Sequence, residues 1–392
     1  MNESLSLRQS TLRPAKRVVV KIGSALLTRQ TRAGYGIRAG FIREMVRQIV
    51  ALRAQGRQVT LVSSGAVAAG CVEMGKRRRP TDVAELQALA AIGQRRLMSY
   101  YHQALRAHRL SAGQLLLSRE DFDARERFLN IRNCVLKLHE MGAIPVLNEN
   151  DAAAVDEIRF GDNDLLAAMM TNALGAQALV LLTVVDGVLD PRKQVIDRVE
   201  DPTQNVEGVT GARSAWGSGG MRSKLDAARL VAEAGEAAVI ANGNTPNVLL
   251  RVLAGESVGT LVVPASKRLA ARSRWIGLTA RPSGFLTLDD GAAQAVLQGK
   301  KSLLASGVSA VTGRFERGEV LVLRDPRGRE LARGLSNYSS TDLQRIAGLR
   351  SAQIASTLGR PAYKAVVHRD NLVIRSPDGD DAPPSRPGPR SG

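Results

Sequence analysis

The sequence predicts an α/β protein in which a mainly parallel sheet is covered by helices on both faces, followed by a small mixed β domain. Through the first two-thirds of the chain, short apolar runs alternate with helical patterns. Strands that are apolar throughout are typical of parallel sheets buried on both faces. From Arg272 onward, short strands are separated by Gly-rich turns, which is typical of a separate small β domain.

Seven short runs rich in aliphatic residues are predicted as strands of the large sheet. They are "RVVVKI" (17–22), "QVTLVS" (58–63), "GQLLL" (113–117), "GAIPVLN" (142–148), "ALVLLT" (178–183), "AAVIAN" (237–242) and "GTLVVP" (259–264). The helical patterns between them include residues 38–56 and 221–235, and both end at a glycine, a common helix stop. Ligands of such a sheet bind at the carboxyl ends of its strands.

The composition divides the chain into four predicted segments. Residues 1–16 form an N-terminal extension, residues 17–275 the α/β domain and residues 276–375 the small β domain. Residues 376–392 are rich in Pro, Gly, Ser and Asp, a composition that cannot bury an apolar core. We therefore expect a disordered tail.

The overall composition indicates a cytoplasmic protein without a membrane contact. The 392 residues are 44% hydrophobic, enough for two or three domains. No apolar run approaches the ~20 residues that span a bilayer, and the N-terminus lacks the apolar stretch of a signal peptide. Cys71 and Cys134 are predicted as small buried hydrophobes, and we expect no metal site because the four histidines have no ligand-like spacing.

The net charge of +18 indicates anionic partners, either small substrates or nucleic acid. The charge is not concentrated, since only "KRRR" at 76–79 forms a run, which we interpret as a solvated loop. Aromatic residues make up 3% of the chain, so platforms for stacking single-stranded bases are scarce. The balance favours small anionic substrates over RNA.

Polar residues follow several of the predicted strands. Lys21 lies in an apolar strand, where an ammonium is unfavourable unless an anion meets it. Ser64 and Gly65 open a helix whose free N–H groups suit an anion, although such a turn is often only a cap. "NEND" (148–151) and "DND" (162–164) flank one loop with more carboxylates than a helix cap needs. Their functional interpretation is the positioning of cations and of an amine.

The segment "GSGGMRSK" (217–224) predicts a phosphate site. A Gly-rich turn, a helix N-terminus and a lysine, here Lys224, can together cradle phosphate. Cations are unfavourable in the first turn of a helix, so Arg222 and Lys224 there favour an anionic ligand. The structural alternative is a flexible loop whose lysine points to water. The segment matches neither the Walker A motif nor the dinucleotide fingerprint.

Together these parts indicate phosphoryl transfer. Lysines, Gly-rich backbone and carboxylates position phosphates and stabilise the transferring group. No histidine base is evident, and a carboxylate acceptor would need none because it is already an anionic nucleophile. Two anions must then be brought together, which is a task for Lys21 and Lys224.

The chain resembles the glutamate 5-kinases, a family of the amino acid kinase superfamily, over nearly its whole length. The resemblance rests on segments that follow the family's order, namely "VVVKIGSALLT", "VSSGAVAAG", "ERFLNIRN", "PVLNENDAAAVDEIRFGDND", "GSGGMRSK", "SVGTLVVP" and "VTGRFERGEV…HRD". It implies a three-layer αβα sandwich followed by a PUA-like domain. The implied reaction converts ATP and L-glutamate to L-glutamyl 5-phosphate and ADP, the first step of proline synthesis.

The resemblance also implies roles for individual residues. Lys21 and Lys224 would contact the phosphates and stabilise the transferring group, and Asp164 would orient both lysines. The implied substrate contacts are Ser64, Asn148, Asp151, Asp162 and Asn163. The implied ATP contacts are Lys21, Thr183, Ser218, Gly219, Gly220, Met221, Arg222, Ser223 and Lys224, and Mg²⁺ would accompany the nucleotide.

One departure from the family pattern concerns the nucleotide side. Val184 stands where many members have an aspartate, directly after Thr183, and the segment up to Pro191 is short. The missing carboxylate bears on nucleotide contacts and not on the transfer groups. Asp186 is a candidate replacement, although the alternation of side chains along a strand leaves this open.

The resemblance further implies a homo-oligomer, feedback inhibition by proline and a glutamyl phosphate reductase as partner. Two alternative functions stay open. Another superfamily member could phosphorylate aspartate, N-acetylglutamate or a nucleotide, although residues 148–164 disfavour this. An RNA-binding or RNA-modification protein is favoured by the 15 Lys and Arg against 8 Asp and Glu in residues 276–375, and disfavoured by the few aromatics.

Overall fold

The computed structural model of this chain describes residues 3–31, 34–153, 163–200, 220–266, 268–299 and 301–374. These residues form two compact units that divide between Arg274 and Trp275. Each unit has its own sheet and its own apolar core.

The described residues of the first unit form strands and helices in alternation. The strands are β1 (Arg17–Ile22), β2 (Thr28–Thr31), β3 (Gly34–Ile37), β4 (Gln58–Ser63), β5 (Ala112–Leu117), β6 (Ile144–Glu149), β7 (Ala178–Thr183), β8 (Arg198–Val199), β9 (Ala237–Asn242) and β10 (Thr260–Val262). The helices are α1 (Glu3–Leu12), α2 (Ser24–Leu27), α3 (Ala39–Ala54), α4 (Ala66–Glu73), α5 (Val83–Arg106), α6 (Arg125–Glu140), α7 (Asn163–Leu174), α8 (Met221–Glu233), α9 (Val248–Leu253) and α10 (Ala271–Arg274).

The large sheet has the described strand order β5-β6-β4-β1-β7-β9-β10-β8. All pairs from β5 to β9 are parallel, whereas β10 runs antiparallel to β9 and parallel to β8. Both faces of β1 are buried: Val18 and Val20 join the core that contains α3 and α9, and Val19 and Lys21 are buried on the opposite face. The predicted α/β fold with a mainly parallel sheet is confirmed.

All seven predicted strands are present, but β5 is not covered on both faces as predicted. Strand β5 is an edge strand of the described sheet, and Gln114 and Leu116 on one of its faces are exposed. Its other face meets α6, since a Cβ at Gly113 would lie 2.6 Å from a methyl carbon of Leu138. An edge strand can be apolar in sequence and still have one open face.

The two predicted helices are α3 and α8, and both end before a glycine as expected. Gly56 and Gly235 have φ values of +79° and +82°, which glycine adopts without strain. Cys71 is buried as predicted, whereas the prediction for Cys134 is wrong. Helix α6 turns Phe128 inward and leaves Cys134 on its exposed face.

The hairpin β2–β3 and helix α1 are among the elements that were not predicted. The hairpin β2–β3 is polar and Gly-rich, so it lacks the apolar alternation of a strand. Helix α1 lies in the segment predicted as an extension, and it packs into the first unit. Its Arg8 is fully buried and donates to Asp197 Oδ1 (2.9 Å) and to the carbonyl of Gly259 (2.7 Å), while Leu12 joins the core.

The second unit is a small mixed β domain, as predicted. Its strands are β11 (Gly284–Leu288), β12 (Val308–Gly313), β13 (Val320–Arg324), β14 (Glu330–Ser336) and β15 (Val367–Ile374), and its helices are α11 (Asp290–Gly299), α12 (Ser340–Ile346) and α13 (Ser351–Leu358). The strand order is β12-β11-β13-β14-β15, in which β11 and β13 are parallel and the other pairs antiparallel. Within the described part of the chain, none of the helices combines the length and apolar character that crossing a bilayer requires.

Candidate active site

Polar side chains gather where the central strands of the large sheet end. Strands β6, β4, β1 and β7 are consecutive and parallel, so their carboxyl ends meet at one edge. Lys21, the penultimate residue of β1, lies between Val62 of β4 and Leu181 of β7. The N-terminal turn of α7 follows at the same edge and supplies Asn163 and Asp164.

The charged half of this site is formed by Lys21, Asp164 and Lys224, which we call the ion cluster. Lys21 Nζ lies 2.7 Å from Asp164 Oδ1, and Lys224 Nζ lies 3.1 Å from Asp164 Oδ2. Asp164 is fully buried, and Lys21 and Lys224 are 5% and 6% exposed. Each lysine therefore has its own carboxylate oxygen, and the cluster keeps one net positive charge.

Three sequence positions, far apart along the chain, build the ion cluster because each comes from a different element. Asp164 lies in the first turn of α7, where the helix dipole favours a negative charge. Lys224 lies in the first turn of α8, where the dipole disfavours a cation, so Asp164 offsets that penalty. Ser223 Oγ donates to Asp164 Oδ2 (2.8 Å) and lies 3.0 Å from the carbonyl oxygen of Gly220, which fixes the carboxylate against α8.

The pKa values of the ion cluster reflect burial and pairing. Burial alone would raise the pKa of Asp164, but attraction to Lys21 and Lys224, with the hydrogen bonds from Lys21 and Ser223, outweighs burial and lowers the pKa to about 2. Burial lowers the pKa of Lys21, and repulsion by Lys224 adds to this, whereas Asp164 raises it. Asp164 is therefore a carboxylate at neutral pH.

The neutral half of the site is a series of side-chain amides, Gln94, Asn148 and Asn163, which we call the amide chain. Asn148 Nδ2 donates to Gln94 Oε1 (2.8 Å), and Asn163 Nδ2 donates to Asn148 Oδ1 (2.9 Å). Asn163 Nδ2 also donates to Ser64 Oγ (3.2 Å), and Asn163 Oδ1 accepts from the backbone N–H of Glu149 (3.3 Å). Three of the predicted substrate residues, Ser64, Asn148 and Asn163, thus lie in one hydrogen-bonded group.

The other two predicted substrate residues are placed differently. Asp151 is half-buried in the turn after β6. Asp162 lies outside the described residues. Ser64 is presented by Gly65, whose φ of +108° opens α4 in a conformation that suits glycine.

The predicted nucleotide contacts are described in part. Ser218 and Gly219 lie outside the described residues, whereas Gly220, Met221, Ser223 and Lys224 begin α8 beside the ion cluster. Arg222 is exposed, and its Nε lies 3.2 Å from Asp226 Oδ1. This surface ion pair with Asp226 offsets the unfavourable position of the Arg222 cation in the first helical turn, so the position of Arg222 does not require an anionic ligand.

The ends of β7 and β9 lie on the predicted nucleotide side, where the expected aspartate is missing. Thr183 ends β7 and lies opposite Asn242, the last residue of β9. Val184 is 43% exposed. Asp186 is exposed and accepts from Asn242 Nδ2 at 2.8 Å, which holds its carboxylate near this edge.

Close approach of the backbone leaves room beside Lys21. Gly23 donates its N–H to the carbonyl of Leu182 (3.3 Å). A Cβ at Gly23 would lie 3.4 Å from that oxygen and 3.9 Å from Lys21 Nζ. Any side chain there would project towards the ammonium group, so glycine keeps the approach to Lys21 open.

Sequence reasoning missed Gln94 and the bond from Ser223 to Asp164. The buried residues of α5 include Leu89, Ala90, Gly93 and Leu97, and Gln94 is a polar residue on this apolar face. That break in the pattern is the signal that could have identified Gln94. Ser223 was assigned to the nucleotide, and nothing in the sequence pairs it with a residue 59 positions away.

Comparison with known proteins agrees with this architecture. Residues 16–242 match the model of the amino acid kinase family, and residues 284–358 match the PUA domain. A protein of Chromohalobacter salexigens named glutamate 5-kinase is 45% identical over 95% of this chain and 100% of its own. Proteins of the same name from Desulfotalea psychrophila and Pseudomonas putida (strain KT2440) are 44% and 46% identical, over 95% and 93% of this chain and 100% of their own lengths. The chain belongs to the amino acid kinase family.

Proposed function

We propose that this chain transfers the γ-phosphoryl group of ATP to the side-chain carboxylate of L-glutamate, giving L-glutamyl 5-phosphate and ADP, the first step of proline synthesis. The observation that carries the proposal is the buried ion cluster of Lys21, Asp164 and Lys224 at the carboxyl edge of the sheet. Similarity over nearly the full length to proteins named glutamate 5-kinase supports the same acceptor.

The transfer needs charge stabilisation more than proton transfer. A carboxylate oxygen of glutamate forms a bond to the γ-phosphorus, and the bond from that phosphorus to the bridging oxygen of ADP breaks. The carboxylate is ionised at neutral pH, so no base is required. Lys21 and Lys224 would offset the repulsion between the two anions and the charge that builds on the phosphoryl oxygens.

Asp164 is proposed to hold the two lysines in place before the substrates arrive. Its two oxygens each pair with one ammonium group, and Ser223 fixes one of those oxygens. Preorganised charges need not reorient during the reaction, and in a site with little water their effect is larger. Asp164 is thus a positioning residue for Lys21 and Lys224.

We assign the amide chain side of the site to glutamate and the α8 side to ATP. Ser64, Asn148 and Asn163 offer hydroxyl and amide groups to the acceptor, and Asp151 and Asp162 are proposed to contact its ammonium group. Thr183 and residues 218–224 are proposed to bind the nucleotide. Mg²⁺ would enter on the phosphates of ATP, because Asp164 already uses both of its oxygens on lysines.

Three further proposals rest on similarity to the family alone: a homo-oligomer, feedback inhibition by proline, and a reductase that takes up the labile acyl phosphate. A cytoplasmic location is proposed from the composition. We also propose residues 17–275 as the catalytic domain and residues 276–375 as the PUA-like domain. Size determination in solution tests the homo-oligomer, and a proline titration of the initial rate tests the feedback inhibition.

The proposed activity is tested by an acceptor panel with the purified full chain. ADP release is measured with ATP, Mg²⁺ and either L-glutamate, L-aspartate, N-acetyl-L-glutamate or UMP, and hydroxylamine traps any acyl phosphate as hydroxamate. We expect turnover and hydroxamate with L-glutamate. Turnover with a different acceptor alone would place the chain elsewhere in the superfamily. No turnover, together with salt-dependent retention on RNA, would favour the RNA-binding alternative.

A further inference from the structure

Gln94 is the buried end of the amide chain, and the mechanism above gives it no role. Its side chain is 8% exposed, and its Oε1 accepts from Asn148 Nδ2 at 2.8 Å. We propose that Gln94 is a positioning residue that fixes the direction of the Asn148 and Asn163 amides and thereby sets the affinity for the acceptor. The inference rests on the proposed function, because it identifies what orients the acceptor-binding groups.

The direction of the whole amide chain follows from one backbone N–H. A backbone N–H can only donate, so the Asn163 atom that faces it from Glu149 is Oδ1. Asn163 Nδ2 therefore faces Asn148, which must present its acceptor Oδ1 at 2.9 Å. Asn148 is thereby turned so that its Nδ2 points to Gln94. Gln94 supplies the acceptor that this arrangement requires at its buried end.

Loss of that acceptor would disturb the residues proposed to bind glutamate. Asn148 Nδ2 would become a buried donor without a partner, which is unfavourable. Rotation of the Asn148 amide would not relieve this, because it would set one donor against another, Asn163 Nδ2. Both outcomes disturb Asn163, which also donates to Ser64 Oγ. A change at Gln94 would thus reach the acceptor side and leave the ion cluster intact.

The backbone beside Gln94 is fixed by close packing of α5 on α4. A Cβ at Gly93 would lie 1.9 Å from the carbonyl oxygen of Ala66 and 2.1 Å from the backbone nitrogen of Gly70, so only glycine permits this approach. Helix α4 begins two residues after Ser64. The same packing therefore positions Gln94 and Ser64, which lie at the two ends of the hydrogen-bonded group.

A second buried glutamine provides a matched control. Gln48 of α3 is fully buried, donates to Glu44 Oε1 (2.8 Å) and accepts from the backbone N–H of Leu249 (2.9 Å). It stabilises the contact between α3 and α9, and it has no bond to the amide chain. A change at Gln48 removes a buried amide without reaching the acceptor side.

The test compares Gln94→Met with Gln48→Met in the full chain. Methionine keeps the length of the side chain and removes the strong acceptor. We expect Gln94→Met to raise KM for L-glutamate about ten-fold and to leave kcat and KM for ATP within about two-fold, the scale of one lost buried hydrogen bond. Gln48→Met should lower Tm without a selective rise in KM for L-glutamate. Gln94→Leu serves as a second variant of similar volume if Gln94→Met does not fold.

A double variant separates positioning from general destabilisation. In an Asn148→Ala background, Gln94→Met should raise KM for L-glutamate no further, because its path to the acceptor is already broken. A multiplicative effect, an unchanged KM for L-glutamate in Gln94→Met, or equal rises in both KM values would overturn the proposal. If the wild type uses another acceptor, the proposed function fails, and the same comparison with that acceptor still decides the role of Gln94.

Discussion

The two halves of the candidate active site hold their polar groups in different ways. The ion cluster joins charged groups by short contacts, 2.7 and 3.1 Å, around a fully buried carboxylate. The amide chain joins neutral groups, each with a donor and an acceptor at a fixed position. The attraction between opposite charges depends mainly on distance, whereas amides recognise a ligand by the direction of their hydrogen bonds. The difference suggests that the first half sets the rate and the second sets acceptor affinity.

Helix α7 is where the two halves meet. Asn163 and Asp164 are neighbours in its first turn, yet Asn163 bonds to Ser64 and Asn148 while Asp164 bonds to the two lysines. Residues i and i+1 of a helix do not face each other, so one helical turn serves both halves. This accounts for the consecutive polar residues before an apolar helix.

The largest expected effect is on the ion cluster. Lys21→Ala and Lys224→Ala should each lower kcat by at least ~10²-fold, the scale for losing a preorganised electrostatic group, with a smaller change in KM for glutamate. Steady-state kinetics measure both constants. Lys137→Ala on α6 is the control, since it removes an exposed lysine whose surface ion pair with Glu140 contributes little. Near wild-type kcat in either lysine variant would remove that lysine from the mechanism.

An intermediate effect is expected on the acceptor side. Asn163→Ala and Asp151→Ala should each raise KM for glutamate by about ten-fold, because each removes a contact that ground state and transition state share. Initial rates at varied glutamate and saturating ATP measure the change. If KM for ATP rises and KM for glutamate does not, the assignment of the two sides is inverted.

A smaller effect is expected where α8 supports the ion cluster. Ser223→Ala removes one hydrogen bond to Asp164 and should lower kcat about five-fold, the scale of ~1 kcal/mol, without raising KM for glutamate. Ser99→Ala is a matched control, because Ser99 Oγ donates to the carbonyl of Arg96 in its own helix. A selective rise in KM for glutamate would instead link Ser223 to the amide chain.

The last expected effect is on stability rather than on rate: a pH dependence that only the ion cluster can have. The pKa of Asp164 is lowered from 3.8 to about 2 by its lysine partners, so its contribution to stability is present above about pH 4 and is lost as pH falls towards 2. In urea unfolding between pH 4 and 2, Asp164→Asn should therefore show a shallower loss of unfolding free energy than the wild type. Asn148→Ala, which removes no titratable group, should follow the wild-type slope. Equal slopes for Asp164→Asn and the wild type would contradict the ion pairing.

Most of the fold was predictable because the spacing of apolar residues along the chain reflects which side chains are buried. The seven apolar runs became strands, and Gly56 and Gly235 ended the predicted helices. The exposed face of β5 was not predictable, since an apolar sequence does not distinguish an edge strand from a central strand. The hairpin β2–β3 was not predicted, because its polar residues lack the apolar alternation that is typical of a strand.

The site was predictable where chemistry breaks the apolar pattern. Lys21 in an apolar strand and the polar residues at the start of α7 indicated groups that the structure brings together at one edge of the sheet. Ser223 and Gln94 were different, because their roles depend on partners 59 and 54 positions away. Such contacts follow from helix packing, which a single sequence does not specify residue by residue.

The most direct test of the division between the halves is a double variant that combines Lys224→Ala with Asn148→Ala. The two residues lie in different halves and share no hydrogen bond among the described contacts. Distant changes without shared partners add in free energy. We predict a kcat within about two-fold of that of Lys224→Ala and a KM for glutamate within about two-fold of that of Asn148→Ala. If each single variant changes both constants alike, or the double variant departs from their product, the two halves are not separate and the account is wrong.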